Sequence, residues 1–150
     1  MTRQRRLRFT LHVIVPIISG GLIYICWRQP VLLMFGWLRV VGLEPFANNL
    51  RAFAAPGSNF LPAWFVYSLP DGLWVYALTA CMVLIWSGTE SLRSKAFWLA
   101  LGFILGVGSE LGQLTGVVPG NFDYVDLVVC ALAPIAAFVF TSNKLSLKGA

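Results

Sequence analysis

Four long apolar stretches constrain this chain more than any other feature of its sequence. They cover residues 9–27, 69–86, 96–118 and 122–141. Each is close to the roughly 20 residues that an α-helix needs to cross the hydrocarbon core of a bilayer. Because lipid offers no hydrogen-bond partner to the peptide backbone, such stretches cross the membrane as helices. The sequence therefore predicts an all-α membrane protein, a four-helix transmembrane bundle that forms one domain over residues 1–150.

The composition agrees with this fold class and excludes several functions. Hydrophobic residues make up 58% of the chain and charged residues 11%, whereas a soluble domain carries about 25% charged residues. No zinc-ligand spacing, phosphate-binding loop or dinucleotide-binding fingerprint occurs. The three cysteines lie far apart in apolar stretches and give no disulfide framework. We therefore expect no metal site, no cofactor and, despite the net charge of +5, no nucleic-acid partner.

The distribution of basic residues predicts the orientation in the membrane. If both termini are cytoplasmic, eight of the 11 basic residues lie on the cytoplasmic side, as the positive-inside rule requires. These are Arg3, Arg5, Arg6, Arg8, Arg93, Lys95, Lys144 and Lys148, and the remaining three are Arg28, Arg39 and Arg51. We expect a multi-pass protein with both termini in the cytoplasm.

The first outer loop, residues 28–68, contains one further apolar segment. Residues 31–43 are too few to span a bilayer and include Gly36 and Arg39. A segment of this length is typical of an interfacial helix. Residues 44–62 contain several prolines and asparagines and are predicted as a loop. The predicted bundle therefore carries a short interfacial helix in its first outer loop.

Four of the six acidic residues, Asp71, Glu110, Asp123 and Asp126, fall at the outer ends of predicted spans. A carboxylate at the centre of a membrane helix is unfavourable by roughly 2.5–3.5 kcal/mol on insertion scales, so this cluster is the best candidate for a functional site. An alternative applies to Asp71 and Asp123, because an acidic residue also caps the start of a helix.

Gln113 joins this cluster because it lies one turn from Glu110 on the same helix face. Gly102 and Gly106 share that face, and such small residues let helices approach closely in lipid. We expect an outward-facing acidic cleft with Glu110 and Gln113 on its inner wall, Asp123 and Asp126 at its mouth, and Asp71 at its lip. At 1.5 Å per residue, Glu110 lies about 12–14 Å deeper than Asp123, so no direct contact between them is expected.

The third and fourth spans also carry a recognisable motif. Glu110 and Gln113 precede a turn at Pro119 and Gly120, and the next span opens with Phe122, Asp123 and Asp126. This arrangement resembles the VanZ-like family of small polytopic bacterial membrane proteins. Asn121 stands where that family usually has Arg, and Cys130 where it has Asn. The resemblance implies a location in the bacterial cell (inner) membrane.

Three functions fit these observations. The first is the binding of an envelope lipid or amphipathic ligand in the acidic cleft. The second is a membrane anchor or sensor subunit, either a homo-oligomer or bound to a partner membrane protein through the glycine row of Gly108, Gly112 and Gly116. The third is an enzyme that acts on a lipid-linked substrate, with carboxylates in acid–base or cation-binding roles. The sequence assigns no catalytic residue.

Overall fold

A computed structural model describes residues 3–86 and 92–142, and in these ranges the chain is helical with no strand. The helices are α1 (Arg3–Trp27), α2 (Leu33–Val40), α3 (Glu44–Ala54), α4 (Ala63–Tyr67), α5 (Leu69–Trp86), α6 (Leu92–Leu114) and α7 (Tyr124–Ser142). Four of them, α1, α5, α6 and α7, are long and apolar enough to cross a membrane. This confirms the all-α prediction and its four long apolar helices.

Helix α1 contains a π-helical segment, Thr10–Ile14, which ends two residues before Pro16. Proline has no N–H, and its ring collides with the carbonyl four residues earlier, here that of His12. The chain avoids this collision with a wider turn, in which the N–H of Val15 bonds to the carbonyl of Thr10, five residues back. The helix therefore continues past the proline to Trp27, where Arg28 adopts an extended backbone.

The first loop contains three short α-helices and a 3-10 helix, Ala55–Phe60, whereas we predicted one interfacial helix and, within residues 44–62, no more than a short amphipathic piece. Helix α3 begins with Glu44 and Pro45, and proline is well tolerated in the first turn of a helix, where its missing N–H has no partner to lose. Arg51 on α3 donates hydrogen bonds to the carbonyls of Ile25 and Arg28, each at 2.7 Å. These bonds fasten the loop to the end of α1.

Helix α5 lies at the centre of the bundle and packs against α1, α6 and α7. The contacts depend on small residues. Ala77 and Ala80 on α5 and Ala137 on α7 are fully buried. A Cβ atom on Gly102 would collide with Thr79, and one on Gly106 would lie 3.1 Å from Val75. Close backbone approach of this kind is how helices associate where the solvent is itself apolar.

At one end of the bundle, polar groups of α1 bind the ends of its neighbours. Arg8 donates to the carbonyl of Thr141 at the end of α7, and Arg5 donates to that of Leu84 near the end of α5 at 3.3 Å. His12 Nδ1 and the hydroxyl of Tyr76 are 2.7 Å apart. We call this region, with the buried residues Val13, Ala80, Leu84 and Ala137 beside it, the closed end.

Candidate functional site

The opposite end of the bundle, where α1 and α6 end and α5 and α7 begin, contains a cavity of about 540 Å³. Its lining includes all five residues of the predicted cleft: Asp71, Glu110, Gln113, Asp123 and Asp126. The structure therefore brings together residues from three helices that the sequence separates by up to 55 positions, from 71 to 126. We call this cavity the acidic cleft.

The cleft owes its shape to the early end of α6. The helix stops at Leu114, four residues before the predicted end of the span at Val118. Gly116 has φ +73, a left-handed conformation that favours glycine. The N–H of Val117 bonds to the carbonyl of Gly112 at 2.9 Å, and that of Gly116 to Gln113 at 3.1 Å. This pair of bonds is a Schellman motif, which ends the helix and reverses the chain.

After this reversal, residues 115–123 fold back along the end of α6. Gly120, with φ +147, lies so close to Gln113 that a Cβ atom there would be 2.8 Å from Oε1. The backbone N–H of Asp123 interacts with the carboxyl group of Glu110. We expected no direct contact between Glu110 and Asp123, because Glu110 lies deeper. This expectation is wrong for the backbone of Asp123, since residues 115–123 fold back and bring that backbone to Glu110.

Glu110 is the most deeply placed acidic residue of the cleft. It is only 4% exposed, and its Oε2 atom is buried without a hydrogen-bond partner among the described residues. Gly102 and Gly106 lie two turns and one turn before it on the same face of α6, and both are buried against α5 and α7. The predicted glycine face therefore directs Glu110 into the protein.

The two aspartates at the start of α7 differ in their surroundings. Asp123 precedes the first helical residue, and its Oδ1 accepts a hydrogen bond from the N–H of Val125 at 2.8 Å. This is helix capping, the alternative interpretation of Asp123 that its sequence position allows. Asp126 lies in the first turn, and its Oδ1 is buried without a partner in the described part of the chain. Asp126, not Asp123, thus resembles Glu110.

Arg28 is a further residue of the cleft. Its sequence position indicates an outer basic residue, which either attracts lipid phosphates or is a solvated surface group. It lines the cavity, and its guanidinium lies over the rings of Tyr24 and Tyr67, 5.2 and 5.1 Å from their centroids. Its charge acts on Asp71. The one direct ion pair in residues 3–86 and 92–142 joins Arg39 to Glu44 in the first loop. The sequence does place Arg28 at the same end of the predicted spans as the carboxylates, and this position is the sequence signal that could have assigned Arg28 to the cleft.

The three glycines that we predicted as a contact with a partner, Gly108, Gly112 and Gly116, have different surroundings in the structure. A Cβ atom on Gly112 would lie 2.6 Å from Val118 of the same chain, and Gly116 lies beyond the helix in the reversal. Gly108 has open space around it, and so does Gly116, whose positive φ the reversal requires. Two of the three glycines therefore have a function within this chain.

In the part of the chain that the structure describes, no three histidine, cysteine, aspartate or glutamate side chains are grouped so that they could hold a metal ion. Comparison with protein families, with curated proteins and with solved structures finds no match for this chain. The function must therefore be argued from the acidic cleft itself.

Proposed function

We propose that this chain is a small polytopic membrane protein that binds an envelope lipid or amphipathic ligand in the acidic cleft. In this proposal the bundle spans a bacterial cell (inner) membrane with both termini in the cytoplasm and the cleft facing outward. Exposed apolar residues on three of the long helices support a membrane location. Ile18 on α1, Ile104 on α6 and Leu132 on α7 are each more than half exposed, and a protein surrounded by water rarely exposes large apolar areas.

One observation carries the ligand-binding proposal. Two carboxylate oxygens, Glu110 Oε2 and Asp126 Oδ1, are buried without partners in residues that line a cavity of about 540 Å³. A buried polar atom without a partner is unfavourable by about 1–3 kcal/mol. The cavity has the volume of a small-molecule site, so a ligand that donates hydrogen bonds there would satisfy both oxygens.

The first loop supports an amphipathic ligand in particular. Trp37 on α2, Phe53 on α3 and Phe60 after it are largely exposed, and Trp and Phe are typical of the membrane-facing side of interfacial helices. The same loop is bonded to the end of α1 beside the cleft, through Arg51 and through Trp27, whose indole N–H donates to the carbonyl of Ala54 at 3.1 Å. We therefore place α2 and α3 in the membrane interface, with the cleft at headgroup depth.

The resemblance to the VanZ-like family rests on residues of the cleft and the turn beside it, and is part of this proposal. The subunit alternative loses support because Gly112 and Gly116 are used within the chain. No observation favours the enzyme over simple binding.

Native mass spectrometry of the protein, released gently from its own membrane, tests the proposal. We expect a co-purifying lipid on the wild type that is lost from Glu110→Gln. Glu44→Gln is the matched control, because it makes the same substitution at a residue that pairs with Arg39 in the first loop, away from the cleft. A wild type without any bound lipid, or a lipid retained equally by Glu110→Gln, would contradict the proposal. A stable complex with another protein instead would favour the subunit alternative.

A further inference from the structure

The charges around the acidic cleft are unbalanced. Among the described residues, four carboxyl groups line it and Arg28 is the one cationic side chain. Asp71, Glu110 and Asp126 lie close enough to act electrostatically on one another. Like charges held together away from bulk water repel strongly, since the local dielectric constant is low. A ligand that fills this space is therefore expected to bring positive charge to the side where Glu110 and Asp126 lie.

The unpartnered atoms specify what kind of cation fits. Glu110 Oε2 and Asp126 Oδ1 are acceptors without donors. A protonated primary amine carries three N–H donors and forms strong, charge-assisted hydrogen bonds to carboxylates. A metal ion needs several ligands at about 2.0–2.6 Å, and no three acidic, histidine or cysteine side chains in the described ranges are grouped that closely.

A quaternary ammonium group fits less well than a primary amine. It has no N–H to offer the two carboxylate oxygens, and proteins usually bind it in a cage of aromatic rings. Among the described residues, the cavity lining contains two aromatic rings. Tyr67 lies under the guanidinium of Arg28, and Phe122 packs edge-on against Tyr124. The cleft thus has hydrogen-bond acceptors for a cation and, in the described lining, one aromatic ring that Arg28 does not cover, which is too few for a cage.

Arg28 provides the complementary half of the site. Its Nε atom is buried without a partner in the described residues, while the two tyrosine rings hold its guanidinium in place at the edge of the cleft. Guanidinium groups bind phosphate through paired N–H donors. The cleft therefore offers an anion partner at Arg28 and cation partners at Glu110 and Asp126.

From these observations we infer that the ligand of the acidic cleft is a protonated primary amine joined to a phosphate, with the amine at Glu110 and Asp126 and the phosphate at Arg28. This inference rests on the proposed function and names its ligand class. Two sources share this chemistry: the headgroup of an ethanolamine phospholipid and a soluble phosphorylated amine.

The test compares lipids that differ only in methylation of the amine. The delipidated protein in neutral detergent is titrated with phosphatidylethanolamine, its mono- and dimethylated forms and phosphatidylcholine, all with the same acyl chains, and binding is followed by native mass spectrometry. We expect the wild type to bind phosphatidylethanolamine at least about tenfold more tightly than phosphatidylcholine, because the choline headgroup leaves buried acceptors unpaired. This comparison uses the unaltered chain, so no folding defect can affect it.

Two variants then assign the two ends of the headgroup. Glu110→Gln should abolish the preference for the primary amine, whereas Glu44→Gln should leave it unchanged. Arg28→Gln should weaken the binding of phosphatidylethanolamine and of phosphatidylcholine and keep the preference, because it removes the phosphate partner and leaves Glu110 and Asp126 in place. Soluble phosphoethanolamine distinguishes the sources. If phosphoethanolamine displaces the lipid, or binds when no lipid binds, the inference holds and the free solute is a ligand. If the lipid binds and phosphoethanolamine does not displace it, the acyl chains are required.

The outcomes separate this inference from the proposed function. Equal binding of all four lipids to the wild type, lost in Glu110→Gln, would overturn the amine inference and leave a lipid-binding cleft. If neither the four lipids nor phosphoethanolamine binds, the amine inference fails. The proposed function then fails as well only if the protein from its own membrane also carries no lipid.

Discussion

The closed end and the acidic cleft are built from the same helices but treat polar groups in opposite ways. At the closed end, Arg8 binds the carbonyl of Thr141, and the hydroxyl of Thr141 donates to Ala137 at 2.6 Å. The Nε of Arg8 is the exception, since it is buried without a partner among the described residues. At the cleft, carboxylate oxygens stay unpaired beside a cavity. Among the described residues, the closed end thus pairs all but one of its buried polar side-chain atoms, whereas the cleft leaves two carboxylate oxygens unpaired.

This contrast between the two ends makes opposite predictions for the stability of variants. Substitutions that disturb the paired, closely packed region should destabilise the protein. Substitutions that remove an unpaired group from the cleft should not destabilise the protein. In the wild type without ligand, that buried group already has an unfavourable free energy, because it has no hydrogen-bond partner. The expected changes decrease from the helix contacts, through the closed end and the cleft, to the first loop.

Gly102→Leu should have the largest effect. A Cβ atom at this position meets the side chain of Thr79 and lies 3.8 Å from Pro134, so a whole leucine side chain would force α6 away from α5 and α7. Overpacking of a close contact is unfavourable by about 1–3 kcal/mol and sometimes more. We expect a melting temperature in detergent that falls by many degrees, or no folded protein. Gly108→Leu is the control on the same helix, because Gly108 has open space around it; an equal loss in both variants would contradict the packing argument.

Arg8→Met tests the polar contacts of the closed end. The methionine keeps part of the apolar stem but leaves the carbonyl of Thr141 without its guanidinium donor. Hydrogen bonds to charged groups contribute about 1.5–3 kcal/mol, and a cation at a helix C-terminus is favourable. We expect the free energy of unfolding to fall by up to about 2 kcal/mol, as measured by denaturant titration followed by tryptophan fluorescence. Arg6→Met changes an exposed residue on the same helix, and an equal loss there would argue against a specific bond.

Glu110→Met should change stability in the opposite direction. It removes an unpaired buried oxygen and relieves the repulsion between Glu110 and both Asp71 and Asp126, which together outweigh the lost interaction with the Asp123 backbone. We expect the ligand-free protein to gain about 1 kcal/mol in free energy of unfolding, while lipid binding is lost. Leu111→Met, at an exposed neighbouring position, should change neither quantity. A clear loss of stability in Glu110→Met would mean that Glu110 is a structural link between helices.

Hydropathy and topology were sufficient to predict the helices and the end of the bundle at which the acidic residues meet. Four apolar stretches indicated four long helices, and their alternating direction placed Asp71, Glu110, Gln113, Asp123 and Asp126 at one end. The structure has both the four helices and a cavity lined by these five residues. Such long-range convergence is predictable because a bundle of spanning helices has only two ends.

The details of the cleft depend on backbone geometry that hydropathy does not report. Val117 and Val118 continue the apolar pattern of α6, yet Gly116 ends the helix with a positive φ. That reversal brings Asp123 to Glu110 and could not be inferred from the spacing along a helix. We did not assign Arg28 to the cleft for a similar reason. Its guanidinium contacts Tyr67, which is 39 positions away, from 28 to 67, and this contact depends on how the first loop folds.

The smallest effect is expected in the first loop, where a charged pair belongs to neither end. Arg39 donates to both carboxylate oxygens of Glu44, but their side chains are 69% and 41% exposed. The hydrogen bond with Glu44 raises the pKa of Arg39. The guanidinium is charged at any physiological pH with or without this bond, so physiological changes of pH do not alter the charge of Arg39. Exposed ion pairs contribute little because water and salt screen them. Glu44→Gln should therefore leave the melting temperature unchanged at low and high salt. A salt-dependent loss of stability in this variant would show that the Arg39–Glu44 pair stabilises the fold. Glu44→Gln could then no longer serve as the neutral control for the cleft.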